Sequence, residues 1–340
     1  MFVIRNVTRS DLPGLKRLAE MLNTVNLPDD EKTLSELIEK SVRSFNGTIK
    51  NPFEREYLFV AEDTRKQLLV GTSMVIAQHG TYEAPHVYLE VSEREHYSHT
   101  IDAHMRHKVL SIGYNYDGPT EIGGLIVDPN YRKGETRLGK QLSFVRFLFM
   151  AMHRKNFRAK VLAELLPPLL PDGRSLLWEA FGRKFTGLTY QEADRLSRGS
   201  KEFIKEMFPN SDVYATLFPP RVQKVIGRVG PETVPVQRML ERIGFRYVER
   251  IDPFDGGPHF EAPLADISVV RKYRRLKVSD RDLTEDAEVL MLGVEEKGKY
   301  RFRSVRSPVR IDGEECTLPA EVKQCLAIGA GDKVHAIPLE

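Results

Sequence analysis

The pattern of hydrophobic and polar positions predicts a chain in which helices and strands are mixed. Apolar residues recur at helical spacing in 12–22 and again in 31–44, which predicts two amphipathic helices near the start. Two apolar runs around a polar turn, 57–63 and 67–78, are typical of a pair of strands. Residues 172–245 carry mainly short helical patterns. This mixture of elements predicts an α+β protein.

The most informative pattern is a strand, a basic loop and a helix that follow one another near the middle of the chain. Residues 121–129 form an apolar stretch ending at an Asp-Pro pair, and 141–154 form a long apolar helix. The loop between them carries Arg132, Lys133, Arg137 and Lys140 around Gly134 and Gly139. Backbone N–H groups and the positive end of a helix attract phosphate, and glycine allows the main chain to come close. The loop therefore predicts a pyrophosphate site, with an ordinary basic turn as the alternative.

Composition narrows the class of protein. The chain has 340 residues, of which 41% are hydrophobic and 29% charged, as in an ordinary globular protein of about two domains. Its formal net charge is only +3, so we expect no nucleic-acid partner. Cys316 and Cys325 are too few for a disulfide framework and match no zinc spacing. We find no apolar run of membrane length and no signal-peptide pattern, and therefore expect a cytoplasmic enzyme without a membrane partner.

The order of strand, basic loop and helix resembles the GNAT acyltransferase fold. In that family the loop has the pattern Arg/Gln-x-x-Gly-x-Gly/Ala and grips the diphosphate of coenzyme A. If Gly139 is the last glycine of the pattern, Arg137 stands where the first glycine belongs, and Arg132 lies two residues too early. The resemblance thus implies an expanded loop in which Arg137 contacts phosphate through its side chain.

A narrower resemblance covers nearly the whole chain. It is carried by IRNVTRSDL, LIVDPNYRK, FLFMAMHRKNF, VLAEL, LWEAFGRKF, RVQKVIGRV, AGDKVHAIPL and, most specifically, GFRYVERIDPFDGGPHFEAPL. These segments resemble the arginine N-succinyltransferase family. The resemblance implies transfer of a succinyl group from succinyl-CoA, the co-substrate, to the α-amine of L-arginine. It further implies no tightly bound cofactor, no metal, and a homo-oligomer or a hetero-oligomer with a paralogous subunit.

The resemblance also implies an organisation for the chain. We expect a GNAT-like mixed sheet flanked by helices, with a small C-terminal β module. Residues 1–170 would form the acyl-CoA-binding half, 171–270 a mainly helical half that closes the acceptor site, and 271–340 the β module. Leu125 falls at the family's succinyl-CoA-binding position. A backbone N–H between Leu125 and Val127 would stabilise the oxyanion of the tetrahedral intermediate.

One position departs from the family. The histidine that donates a proton in the family is replaced here by Gly230, and Glu232 lies two places away. Because the leaving group is a thiolate, with a thiol pKa of roughly 8.5, loss of the donor should slow the reaction rather than forbid it. The alternatives are another acceptor such as ornithine, another acyl group, or a non-catalytic acyl-CoA-binding paralogue. If the donor is merely missing, Gly230→His should raise turnover on arginine.

Four side chains are candidates for the remaining chemistry. Glu121 at the start of the central strand, or Glu164 on the strand VLAEL, would take the proton of the amine; the alternative for each is a hydrogen-bonded structural carboxylate. Asp255 in FDGGP would bind a guanidinium, unless it only forms the turn ahead of two glycines. His259 would supply the missing donor if the fold brings it near Gly230, and is otherwise a packed side chain.

A cluster of four histidines lies in 96–107. The four histidines of this stretch fall on one side of a helix if the stretch is helical. A helix would separate the first from the last by roughly 16 Å, so they cannot all bind one ion. We therefore expect a polar, partly exposed segment, with a pairwise surface metal site as the alternative.

Overall fold

The computed structural model describes residues 1–339 apart from 23–26, 28–29, 83, 133, 135, 198, 282, 284–285 and 297–300. Its strands are β1 (Phe2–Asn6), β2 (Glu56–Asp63), β3 (Leu68–Ile76), β4 (His86–Ser98), β5 (Ala103–Asn115), β6 (Thr120–Val127), β7 (Lys160–Glu164), β8 (Val213–Tyr214), β9 (Arg246–Ile251), β10 (Pro258–Pro263), β11 (Arg274–Val278), β12 (Glu288–Glu296), β13 (Arg301–Asp312), β14 (Glu315–Thr317) and β15 (Lys333–Pro338). Its helices are α1 (Leu12–Leu22), α2 (Glu31–Phe45), α3 (Leu138–Met152), α4 (Leu176–Ala180), α5 (Gly182–Thr186), α6 (Tyr190–Ser197), α7 (Glu202–Met207), α8 (Pro220–Gln223), α9 (Val234–Arg242), α10 (Ser268–Arg271) and α11 (Ala320–Leu326). The predicted α+β class is confirmed.

The chain forms two compact units, each built from segments that are distant in sequence. The first unit contains Met1–Ala77, Thr120–Ala159 and Leu264–Glu340, and the second contains Gln78–Pro119 and Lys160–Pro263. This division differs from the three consecutive parts expected from the sequence. The difference arises because β4 and β5 belong with the second unit, although they lie between strands of the first.

The first unit is organised by a sheet whose strand order is β12-β15-β11-β14-β13-β1-β2-β3-β6. Neighbours in this order run antiparallel, except that β11 and β14 run parallel. An additional pairing joins β12 to β13, so the strands β11 to β15 close on themselves. This closed group has its own apolar core, which includes Leu292, Val305 and Val334. The expected β-rich C-terminal module is therefore present.

Helix α3 is buried on nearly every side, because its sequence is apolar all round. It packs against β3, β6 and β12 of the first unit. Phe149 of this helix lies in a cluster of aromatic rings with centroid separations between 4.7 and 5.3 Å from Phe45, Tyr57, Phe59 and Phe302. This packing fixes the helix directly after the basic loop.

The second unit contains an antiparallel sheet with the strand order β7-β10-β9-β4-β5-β8. Its core is built around Trp178, whose ring stacks on Phe254 at a centroid distance of 5.2 Å. The indole N–H of Trp178 donates to the carbonyl of Leu188 at 2.9 Å. The short helices α4, α6, α7 and α8, which lie in the region predicted to be mainly helical, supply further residues of this core.

The helical interpretation of the histidines in 96–107 is wrong. They lie on a long antiparallel hairpin of β4 and β5, which pair from His86↔Asn115 to Ser98↔Ala103. His96, His99 and His104 are exposed, so the expectation of a polar surface segment holds while its conformation does not. The end of the hairpin is exposed on both faces and therefore lacks the alternation that marks a half-buried strand.

Candidate active site

In the first unit, strand β6, which leads into the basic loop, carries a bulge. Its pairing with β3 passes from Thr72↔Ile126 to Met74↔Gly123, so Gly124 and Leu125 together lie opposite Ser73. Gly124 has a φ of +55°, a conformation that favours glycine. The Thr72 hydroxyl donates to the Gly124 carbonyl at 2.8 Å and so fixes the bulge. Bulges of this kind redirect backbone groups and are frequent beside active sites.

A buried arginine supports the same bulge from helix α3. Arg146 is 2% exposed, and its guanidinium donates to the Gly123 carbonyl at 3.2 Å. It also donates to the carbonyl and the hydroxyl of Ser143, at 3.1 and 2.8 Å. Sequence reasoning did not single out Arg146, because one arginine in an apolar helix carries no motif. Leu125, on the bulge, is half-buried, so its side chain is not wholly in the core.

The basic loop leads from β6 into α3. The Arg132 side chain donates to the Val127 carbonyl at 3.0 Å and remains exposed. Arg137 is also exposed and directly precedes α3, with φ 49° and ψ 46°. This left-handed conformation is the one that glycine adopts most readily, at the position where the GNAT pattern has a glycine.

The other candidate residues of the loop are Gly139, Lys140 and Lys133. A Cβ on Gly139 would lie 3.6 Å from the Val127 side chain, an ordinary contact, so space alone does not demand glycine there. The Lys140 ammonium lies 5.2 Å from the centre of the Phe144 ring. Lys133 lies outside the described residues. The loop thus presents two exposed guanidinium groups next to the first turn of a long helix, which is an arrangement suited to phosphate.

Glu121, the first candidate for a general base, lies near the start of β6 in the first unit. It pairs with Ile76 across the sheet and is half-buried. Its Oε1 atom is 3.4 Å from the place where a Cβ on Gly123 would lie. Glu121 therefore stands just before the bulge, on the same strand as Leu125.

In the second unit, Glu164 is surrounded by histidines. His259 on β10 is its direct partner across the sheet, and the His259 Nε2 atom lies 3.3 Å from Glu164 Oε1. His86, at the start of β4, places its Nε2 atom 3.2 Å from the same oxygen. The His86 and His259 rings stack at a centroid distance of 5.3 Å. The Glu164 side chain is 27% exposed, whereas those of His86 and His259 are 2% and 0% exposed, so Glu164 is the most accessible of the three.

A fourth member, His79, comes from the loop before β4. Its ring meets His86 edge to face at a centroid distance of 4.4 Å. Gly80 fixes the loop between them: its φ is +85°, and a Cβ there would lie 2.4 Å from the Asn115 carbonyl oxygen. Ligand atoms of His79, His86 and Glu164 all lie within 4.8 Å of one another. Sequence reasoning missed His79 and His86, whose only signal is that they flank the start of an apolar strand.

Burial decides the charges in this cluster. His86 and His259 are 1% and 0% exposed, and burial lowers the pKa of both, to about 4 for His259. Burial opposes ionisation of Glu164, yet the adjacent imidazoles hold its pKa well below the usual value. At neutral pH Glu164 is therefore a carboxylate beside the neutral imidazoles of His86 and His259. Such a group accepts protons or binds cations. An imidazolium at His259 does not form at neutral pH, which weakens the hypothesis that His259 replaces the missing donor.

Gly230 lies against the segment that follows Glu164. Its N–H donates to the Leu166 carbonyl at 2.8 Å, and the Leu165 N–H donates to the Pro258 carbonyl at 3.1 Å. A Cβ on Gly230 would lie 2.7 Å from the Pro167 carbonyl oxygen. Side chains do not fit at that distance unless the backbone moves. The sequence-based expectation that Gly230→His would raise turnover did not take account of this close contact.

Asp255 is buried inside the turn that FDGGP forms. Its Oδ1 accepts a hydrogen bond from the Gly257 N–H at 2.7 Å, and the Tyr190 hydroxyl donates to Oδ2 at 3.4 Å. Burial raises the pKa of Asp255 to about 7. These contacts are those of the turn-forming alternative rather than of a carboxylate held open for a guanidinium.

Comparison with known proteins identifies the chain's relatives. The family model described as arginine N-succinyltransferase beta subunit matches residues 2–269. An arginine N-succinyltransferase of Yersinia pestis (strain Pestoides F) is 33% identical and covers 100% of this chain and 98% of its own. The chain belongs to the arginine N-succinyltransferase family. An arginine N-succinyltransferase of Escherichia coli (strain 55989 / EAEC) is 32% identical with the same coverage.

A solved structure extends the similarity to the fold. The structure described as arginine/ornithine succinyltransferase subunit AI from Pseudomonas aeruginosa is 27% identical, with a TM-score of 0.85. It covers 100% of this chain and 99% of that chain. Membership of the arginine N-succinyltransferase family confirms the resemblance drawn from the sequence and makes the chain an acyltransferase that uses an acyl-CoA. In the part of the chain that the structure describes, no helix has the length and apolar character required to span a bilayer.

Proposed function

We propose that the protein transfers the succinyl group of succinyl-CoA to the α-amine of L-arginine in the cytoplasm. The observation that carries this proposal is the 33% identity, over the whole chain, to a protein named arginine N-succinyltransferase. Each unit, taken by itself, offers groups that the reaction requires. The first unit has exposed guanidinium groups suited to a diphosphate, and the second has a carboxylate that can accept a proton.

The loop before α3 would hold the diphosphate of coenzyme A. Backbone N–H groups at the start of α3 and the exposed guanidinium groups of Arg132 and Arg137 offer positive charge and hydrogen-bond donors together. The bulge at Gly124 and Leu125 turns backbone groups of β6 out of the regular pairing. A backbone N–H between Leu125 and Val127 would then donate to the thioester oxygen and stabilise the oxyanion.

The proton of the attacking amine would go to Glu164. As the amine nitrogen bonds to the thioester carbon, it becomes strongly acidic, so a carboxylate of low pKa suffices as acceptor. The imidazoles of His86 and His259 place their Nε2 atoms 3.2 and 3.3 Å from Glu164 Oε1 and hold the pKa of this carboxyl group well below its usual value. The tetrahedral intermediate then collapses, the C–S bond breaks, and coenzyme A leaves as a thiolate. A thiol pKa of roughly 8.5 makes this departure possible without an acid, which accords with glycine at position 230.

Thiol release from succinyl-CoA tests the function directly. The purified protein is assayed with arginine, with ornithine and without acceptor, and the product is identified by mass spectrometry. Arginine-dependent release of thiol with N-succinylarginine as product is the expected result. Binding of succinyl-CoA without turnover on any amine would instead indicate the non-catalytic paralogue.

Two glutamine variants test the choice of base. Glu164→Gln should lower kcat by about 10²–10⁴-fold, the usual contribution of general base catalysis. Glu261→Gln is the matched control, because Glu261 is a half-buried carboxylate on β10 that pairs with Lys160 at 3.6 Å. If Glu121→Gln is inactive while Glu164→Gln is not, the base is Glu121 and this assignment fails.

Ornithine is a second candidate acceptor. The name of the Pseudomonas aeruginosa structure, arginine/ornithine succinyltransferase subunit AI, favours it. The same name supports an assembly of more than one chain, either with itself or with a paralogous subunit. Comparison of kcat/KM for the two amines decides the acceptor, and light scattering of the purified protein decides whether it forms an oligomer.

A further inference from the structure

We propose that His79, His86 and Glu164 form a binding site for a transition-metal cation, with Zn²⁺ as the best fit. The three side chains come from the loop before β4, from the start of β4 and from the end of β7, all in the second unit. Each offers one ligand atom, and these atoms lie within 4.8 Å of one another. No motif in the sequence brings them together, so the site is a product of the fold.

The closest ligand pair already has the separation that zinc requires. Zn–N and Zn–O bonds of about 2.0–2.1 Å in a tetrahedron place neighbouring ligand atoms about 3.3–3.4 Å apart. His86 Nε2 and Glu164 Oε1 are 3.2 Å apart. The His79 and His86 rings are in contact edge to face, and a nitrogen of each lies within 4.8 Å of a Glu164 carboxylate oxygen. Since the largest separation is below 4.8 Å, a shift of about 1.5 Å in the half-buried His79 side chain completes the tetrahedral spacing.

A buried histidine without a hydrogen bond points to the same place. Among the described residues, neither buried ring nitrogen of His86 makes a hydrogen bond of good geometry, although Nε2 lies 3.2 Å from Glu164 Oε1 and the residue is only 1% exposed. A buried polar group without a partner costs about 1–3 kcal/mol, and native proteins rarely keep one without a reason. A cation bound by His86 and Glu164 gives that ring a partner and the carboxylate a counter-charge.

The donor set selects the metal. Two imidazoles and one carboxylate leave a fourth tetrahedral position open, which is a zinc arrangement known in other proteins. Mg²⁺ and Ca²⁺ prefer sites made of oxygen ligands and fit poorly here. His259, whose Nε2 lies 3.3 Å from Glu164 Oε1, is placed to orient the carboxylate from outside the ligand group.

Metal binding has a consequence for the reaction. A cation on Glu164 removes the carboxylate from proton transfer, so Zn²⁺ should inhibit acyl transfer and a chelator should reverse the inhibition. This consequence rests on the proposed function, whereas the binding site does not. Measurement of binding and activity in the same samples separates the two.

Titration calorimetry of the chelator-treated full-length protein with Zn²⁺ tests the site. We expect one equivalent to bind to the wild type, and His79→Ala and Glu164→Gln each to weaken binding by at least about tenfold. His96→Ala is the matched control, since the His96 ring lies 5.6 Å from the His107 ring on the exposed hairpin, where an adventitious surface pair would form. Co²⁺ in place of Zn²⁺ should give the visible absorption of a tetrahedral site in the wild type and in His96→Ala.

These measurements test the metal site and the catalytic role of Glu164 separately. Equal Zn²⁺ affinity in wild type and His79→Ala would overturn the site, as would loss of binding in His96→Ala alone. His79 is half-buried, so His79→Ala should keep its fold, which circular dichroism verifies. Binding without inhibition would leave the metal site standing and would overturn the role of Glu164 as proton acceptor.

Discussion

Replacement of His259 by glutamine should change how stability depends on pH. His259 is 0% exposed, and burial lowers its pKa from 6.5 to about 4. Between these values the unfolded chain binds a proton that the folded chain does not, so the free energy of unfolding falls as the pH falls. The difference of about 2.5 pKa units corresponds to about 3 kcal/mol, at about 1.4 kcal/mol per unit. Above pH 6.5 the histidine makes no pH-dependent contribution.

Urea denaturation of wild type and His259→Gln from pH 4 to pH 8 measures this contribution. The free-energy difference between the two proteins should be constant above pH 6.5 and should shift by about 3 kcal/mol in favour of the variant toward pH 4. Asp255 provides a control of opposite sign. Burial raises its pKa to about 7, so Asp255→Asn should remove a contribution that grows as the pH falls from 7 toward 4. A difference between wild type and His259→Gln that does not vary with pH would refute the assignment of a buried neutral imidazole.

Three further substitutions have expected outcomes. Gly230→Ala should lower the free energy of unfolding, measured in urea, by about 1–3 kcal/mol, because its Cβ would lie 2.7 Å from the Pro167 carbonyl oxygen. For the same reason Gly230→His should fail to raise turnover. Arg137→Gly should leave stability unchanged or raise it by up to about 1 kcal/mol, because glycine adopts the left-handed backbone conformation of this position more readily. Calorimetry should show weaker binding of coenzyme A to this variant. Unchanged binding would exclude a contact between Arg137 and phosphate. Trp178→Ala should cost about 3–5 kcal/mol in chemical denaturation, since the fully buried indole also loses its bond to Leu188, and a cost below 1 kcal/mol would contradict the packing described.

Local periodicity was sufficient to locate much of the fold. Helices α1 and α2 and strands β2 and β3 lie where the apolar residues predict, because each helix buries one face and each strand is buried along most of its length. The hairpin of β4 and β5 was not predictable in this way. Its outer part is exposed on both faces, so no burial pattern distinguishes a strand, and the histidine spacing suggested a helix instead. The division into two interleaved units depends on contacts between distant segments, which periodicity does not report.

The candidate site was predictable residue by residue but not as an arrangement. Glu164 and His259 were each proposed from chemistry alone, yet 95 positions separate them, and only the antiparallel register of β7 and β10 makes them partners. His79 and His86 carry no recognisable spacing and emerge only from the fold. The close contact at Gly230 is likewise invisible in sequence, because Pro167 lies in a different segment.

These observations bear on how acyl transfer could proceed with glycine at position 230. At position 230 the main chain of Pro167 occupies the space that a side chain needs, so the change to glycine is built into the packing rather than being a simple loss. At His259, burial keeps the imidazole neutral and therefore unable to act as a cationic acid at neutral pH. Glu164, the partner of His259 across the sheet, is held as a carboxylate. The chemistry that this part of the chain offers is therefore acceptance of a proton, and departure of coenzyme A relies on the intrinsic stability of its thiolate.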